Sequence, residues 1–140
     1  MRKTFNVSWS TRFEYNEENV KGVVPIDKEG VYRLIFLKNQ DYLVFYVGLG
    51  NLEDRLLSHL QASEPDECIK SHLENYKCYF RFAVIENEKD QMDVEWWIVK
   101  HYEPKCNDPE KAPHSGRYDE ICVNPTNEEQ PVCYKTGSEL

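Results

Sequence analysis

Two apolar runs, Val31 to Leu37 and Tyr42 to Gly48, flank the polar break Lys38-Asn39-Gln40-Asp41, a pattern that folds back on itself as an antiparallel hairpin. The phrase Gly30-Val31-Tyr32 opens the first run and Tyr46-Val47-Gly48 closes the second, so one hairpin carries both tyrosines. Directly after it, Asn51 is placed to cap a helix, with Asp54 three residues on completing a loose capping box. Leu52, Leu56 and Leu60 recur every four residues as its buried stripe, and Arg55 and His59 share that spacing on another face, aimed at one place. A second helix is expected from Glu64 to Glu74 and a third strand from Tyr76 to Ile85. Asn87 caps a further helix with core face Val94, Trp97, Ile98 and His101, which Pro104 ends.

The ends read differently. Phe5, Val7 and Trp9 alternate as a strand or hairpin before the polar break at Asn16-Glu17-Glu18-Asn19. From Asp108 the chain turns polar and proline-rich, an irregular wrap with one short apolar piece at Ile121-Cys122-Val123. The reading is α+β: a small antiparallel three-stranded sheet flanked by helices over residues 28–108, an N-terminal extension over 1–27 and an irregular C-terminal extension over 109–140. At 140 residues and 40% hydrophobic, the chain has enough apolar side chains for one packed core. No run approaches the roughly 18 apolar residues of a membrane span, so no membrane partner is expected. Five widely spaced cysteines, an odd number, fit reduced thiols in a reducing, cytoplasmic setting. No Cys-x-x-Cys pair marks a structural zinc site, although Cys106 and His114 are candidates for two ligands of an irregular one.

The two tyrosine phrases, followed in order by Arg55, His59, Glu95, Pro104 and Asn107, resemble the signature of the GIY-YIG nucleases. The resemblance implies cleavage of DNA with a single divalent ion, Mg²⁺ or Mn²⁺, held by Glu95. Arg55 would grip the scissile phosphate with its planar, permanently charged fork. Tyr46 would orient or deprotonate the attacking water, Tyr32 would hold the hydroxyl network with His59 assisting, and the two tyrosine roles are interchangeable at this stage. A phenol with a pKa of about 10 is ionised only to the order of a thousandth at neutral pH, so either tyrosine needs help to act as a base. Gly30, Gly48 and Asn107 would support the site. The resemblance leaves DNA or RNA, and monomer or homodimer, open.

Net charge is −8, which argues against tight non-specific binding of a polyanion. The excess lies late in the chain, because residues 1–62 carry eight basic and eight acidic side chains. Taken singly, Tyr32 and Tyr46 are ordinary strand aromatics, Arg55 a solvated charge and His59 a half-buried polar residue. Glu95 is harder to dismiss, since it interrupts the otherwise apolar stretch Val94 to Val99, and burying it unpaired is costly. Without a metal, an ion pair to Arg55 is the plain alternative. The acidic run Glu64 to Glu67 reads as a solvated face, and Trp97 as core. The competing functional reading is a non-catalytic nucleic-acid-binding or regulatory module of the same fold, motivated by the acidic surface and by Leu49, a position that is polar or basic in many members of the family.

Overall fold

A computed structural model describes residues 1–137. Its frame is an antiparallel sheet built on the predicted hairpin: β3 (Glu29–Lys38) and β4 (Asp41–Asn51) pair through a two-residue turn in which Asn39 and Gln40 both adopt positive φ, 52° and 70°. That turn matches the right-handed twist of the flanking strands. β5 (Cys78–Val84) pairs along the other side of β3, and the two-residue β2 (Phe13–Glu14) adds a fourth strand, giving the order β2-β5-β3-β4. The sheet thus has one strand more than expected, contributed by the N-terminal extension.

Helices cover both faces. The break at Asn16 to Asn19 is the start of α1 (Glu17–Val23) rather than a loop: Asn16 accepts from the Asn19 amide and caps it. α1, α2 (Leu52–His59) and α3 (Glu67–Asn75) pack on one face over Tyr32, Leu34, Phe45 and Phe80. α3 starts later than expected because Asp66, not Glu64, supplies the cap, accepting from the amides of Cys68 and Ile69. The opposite face is covered by α4 (Glu88–Tyr102), whose Val94, Trp97 and Ile98 meet Val31, Val47 and Ala83. α4 ends where Glu103 enters the left-handed region just before Pro104.

The C-terminal extension is less irregular than its composition suggests. After a 3-10 turn at Pro109–Lys111 it forms β6 (Glu120–Val123) and β7 (Val132–Lys135), antiparallel to each other, and β6 pairs in parallel with β1 (Arg2–Phe5). Both ends of the chain therefore share one small sheet. Asparagine side chains join them further: Asn124 accepts from the Val7 amide at 2.7 Å and donates to its carbonyl at 2.8 Å, and Asn127 does the same for Trp9 at 2.9 and 2.7 Å. Arg33, 2% exposed, stacks on the Trp9 ring at 4.3 Å and donates to Tyr102 and to the Pro125 carbonyl, which fastens both extensions to β3.

The expectation of reduced thiols is corrected for four cysteines. The β6–β7 register sets Cys122 opposite Cys133, and these two are bonded; packing of α3 against the segment after α4 joins Cys68 to Cys106 across 38 residues. Cys78 is free and buried. No described helix is long and apolar enough to cross a membrane.

Replacing Asn124 by alanine leaves a buried N–H and a buried carbonyl of Val7 without their partner. Urea denaturation of this variant is expected to show a loss of about 2–4 kcal/mol. A loss below about 0.5 kcal/mol would mean that the two ends are held by other contacts.

Candidate active site

β4 is an edge strand, and a bulge in it sets the site. Leu34 pairs with Tyr46 but Ile35 with Val44, so Phe45 is an extra residue. Strict alternation would send Phe45 and Tyr46 to opposite faces; the bulge turns both toward the α2–α3 side, while Val44 and Val47 face α4. Tyr46 is thereby brought beside Tyr32, ring centroids 6.2 Å apart, and Gly48 falls opposite Tyr32. A side chain at Gly48 would run into the Tyr32 phenol, and one at Gly30 into the Ala83 carbonyl oxygen, so both glycines are required by close approach.

The edge of β4 does not lie open. Asn107 accepts from the Val47 amide at 2.8 Å and donates to its carbonyl at 2.9 Å, and the Cys106 amide donates to the Phe45 carbonyl at 2.9 Å. Two residues after α4 thus stand in for a neighbouring strand and hold the backbone on either side of Tyr46.

On the helical side, Asn51 caps α2 by accepting from the Asp54 amide. Gly50, at φ 120°, turns the chain from β4 into α2 beside the aliphatic stem of Arg55. His59 is 5% exposed: its Nε2 lies 2.7 Å from the Tyr32 hydroxyl and its Nδ1 2.8 Å from Glu64. A carboxylate on Nδ1 fixes the tautomer in which Nδ1–H donates to Glu64 and Nε2 accepts from the Tyr32 hydroxyl. Glu64 belongs to the run read from sequence as a solvated face, and that reading is corrected: it is 8% exposed. No spacing rule could find it, because it lies in the connection between α2 and α3.

Two adjoining cavities meet at this edge. One, of about 380 Å³, is lined by Tyr46, Arg55, His59, Glu64 and Asp66; the other, of about 300 Å³, by Tyr46, Asp66, Glu95, Asn107 and Lys111. Tyr46 and Asp66 border both, so the tyrosine wall separates an Arg55 chamber from a Glu95 chamber. Tyr32, Arg55 and His59 cluster on one side, and Glu95 and Asn107 reach the other. The proposed Glu95–Arg55 ion pair does not form: among the described residues Glu95 makes no ion pair and no hydrogen bond, although the two groups sense each other's charge. The Cys106–His114 pairing is also absent, since Cys106 is bonded to Cys68 and approaches His72, while His114 sits edge-on to Trp96.

Burial is the largest influence on the titration of Glu95, of both tyrosines and of His59. It pushes Glu95 up to about 7, with Arg55 opposing. It raises both phenols, Tyr32 strongly because that side chain is fully buried, and Arg55 again opposes. His59 is pulled below its usual value by desolvation against the pull of Glu64, so it is neutral at pH 7. The arrangement is a hydrogen-bonded chain from the Tyr32 phenol through a neutral His59 to Glu64, beside a guanidinium, with the partnerless Glu95 across the wall. A hard divalent cation fits that carboxylate, because it restores the charge balance burial removes.

A family profile described as "Uncharacterised protein" matches residues 1–136. No curated protein matches the chain. Among solved structures, the chain is similar to the GIY-YIG N-terminal endonuclease domain of UvrC from Thermotoga maritima bound to magnesium, at 24% identity and TM-score 0.49, over 65% of this chain and 98% of that one. A point mutant of the same Thermotoga maritima domain bound to its catalytic divalent cation matches at 23% identity and TM-score 0.47, over 65% of this chain and 97% of that one.

Glu95 links the site to stability. Its folded pKa of about 7 lies above the 4.5 of an unperturbed glutamate, so the folded chain holds an extra proton between those limits and stability falls as pH rises through them. In metal-free buffer, Glu95→Gln is expected to remove this fall and to be more stable than the parent above pH 7, on the order of 2 kcal/mol. Chemical denaturation at pH 4.5 and pH 8 measures it, and a gap that does not widen with pH contradicts it.

Proposed function

The chain belongs to a family described as "Uncharacterised protein", and we propose that it is a divalent-metal-dependent endonuclease that hydrolyses phosphodiester bonds in DNA. The observation that carries this reading is the partnerless, half-buried Glu95 facing a cavity whose wall is Tyr46, with Arg55 on the other side of that wall. Glu95 would hold the ion, Mg²⁺ or Mn²⁺, once its carboxyl has lost its proton. When bound, the ion supplies positive charge to the phosphate oxygens and acidifies its water.

The remaining roles follow from burial. Arg55, exposed on α2 and permanently charged, binds a non-bridging phosphate oxygen and offsets the charge that builds on it during attack. Tyr46 borders both cavities, so its hydroxyl is the one that reaches a water beside the phosphate. Tyr32 has no exposure and donates to His59, which leaves it a positioning role for Tyr46 and Arg55. Glu64 holds His59 in the orientation that accepts from the Tyr32 hydroxyl. Asn107 fixes the backbone of Val47, next to Tyr46. Leu49, which favoured a non-catalytic module in the sequence, packs against the core on the α4 side and does not face the site.

Supercoiled plasmid, a branched DNA and matched single-stranded DNA and RNA test the reading, each with Mg²⁺, Mn²⁺ or EDTA. Cleavage that EDTA stops is expected, reduced about 100-fold or more in Arg55→Ala and in Glu95→Ala, with the folded state retained. Tyr46→Phe should fall further than Tyr32→Phe. Full activity in Glu95→Ala, or none on any substrate with either metal, overturns it.

A further inference from the structure

Next to the Glu95 chamber, along α4, lies a third cavity that the proposed chemistry does not use. Trp96, Val99, Lys100 and Glu103 follow one another at helical spacing on the face next to Glu95 and form one wall. Ala112 lines both this cavity, of about 320 Å³, and the Glu95 chamber, so the two adjoin across that residue. Lys135 of β7 closes the far side. The Glu95 chamber carries carboxylates, whereas this one combines an indole, a buried valine and two lysines against a single glutamate.

The three tryptophans of the chain are not equivalent. Trp9 and Trp97 are at most 4% exposed, and their indole N–H groups donate to the carbonyls of Asn124 and Val132. They are core residues. Trp96 is half-buried, borders the cavity, and meets His114 edge-on, 5.6 Å between centroids, which leaves it fixed in place. An aromatic residue and lysines lining one cavity, next to the proposed phosphate-cleaving centre, suit one kind of occupant: an unpaired nucleotide flanking the cut bond.

We propose that the cavity between α4 and β7 is a nucleobase subsite, in which a base of the substrate strand packs on Trp96 while Lys100 meets its phosphate. The subsite rests on the nuclease reading for its role, but its occupancy does not need catalysis. It gives an acidic chain a local foothold on nucleic acid without a broad basic surface, because stacking is indifferent to charge and tolerates every base.

The direct probe is deoxyadenosine 5′-monophosphate, titrated to millimolar concentration into ¹⁵N-labelled protein in EDTA while the three indole N–H signals are followed. The Trp96 signal is expected to move and saturate while those of Trp9 and Trp97 stay; deoxyribose 5-phosphate should not reproduce the shift, and Lys100→Glu should weaken binding about fivefold or more. A Trp96 signal that does not move, or that moves equally with the sugar phosphate, overturns the subsite. On an oligonucleotide that the protein cleaves, removing one base near the cut should raise KM about tenfold, and Trp96→Leu should abolish that sensitivity. Indifference of the parent protein to every abasic position also overturns it and leaves the nuclease reading standing. An indole response to the nucleotide with no cleavage of any substrate sinks the nuclease reading and keeps the subsite.

Discussion

Asn107 holds both the amide and the carbonyl of Val47, and most of the candidate site depends on that grip. β4 lies at the edge of its sheet, where an unpaired backbone would be free to slip or to recruit another chain. The bulge at Phe45 gives up one residue of register to aim Tyr46 at Tyr32, and the extra residue locally disrupts the ladder on that strand. Asn107 and the Cys106 amide pin the strand there. Through Cys106 the same segment is bonded to α3, whose cap Asp66 borders both cavities. The device recurs at the ends of the chain, where Asn124 and Asn127 clamp Val7 and Trp9 in the same two-handed way. Where strands are too short to satisfy their neighbours, asparagine supplies one donor and one acceptor at the spacing of a peptide group.

A second theme is charge held apart. Burial penalises ionised groups, and here it keeps Tyr32 a phenol, His59 neutral and Glu95 near its titration point. None of these states favours the folded protein when no cation is present. Natural proteins give up stability at sites that must bind something, and a carboxylate with no partner beside a permanent cation that does not touch it is such a cost. Arg55 is close enough to be felt by both phenols and by Glu95, yet it forms no ion pair with the carboxylate, which leaves each free for a different part of one ligand.

Much of this was legible in the chain. The hairpin, the Asn51 cap, the leucine stripe of α2 and the end of α4 at Pro104 all follow from local rules, because turn residues, capping side chains and apolar periodicity act over a few positions. The candidate residues Tyr32, Tyr46, Arg55, His59, Glu95 and Asn107 were named from order and spacing; all but Tyr32 line two adjoining cavities, and Tyr32 is buried behind them on His59. What escaped the sequence is tertiary. Glu64 looks like a solvent-facing acid until the α2–α3 connection folds it onto His59. Strands β6 and β7 are too short and proline-flanked to announce themselves, and the sheet they form takes its third strand, β1, from the far end of the sequence. Cysteines 38 residues apart give no spacing signal.

We propose that the edge of β4 gathers Tyr46, Arg55 and Glu95 into one metal-dependent phosphate site. Crystals soaked in Mn²⁺ and measured at the manganese absorption edge test it most directly. The account predicts one anomalous peak against the Glu95 carboxylate, on the Tyr46 side of that chamber, lost in Glu95→Ala crystals. A peak only elsewhere, such as beside Cys68 and His72, or no peak in well-ordered crystals at saturating Mn²⁺, would contradict it.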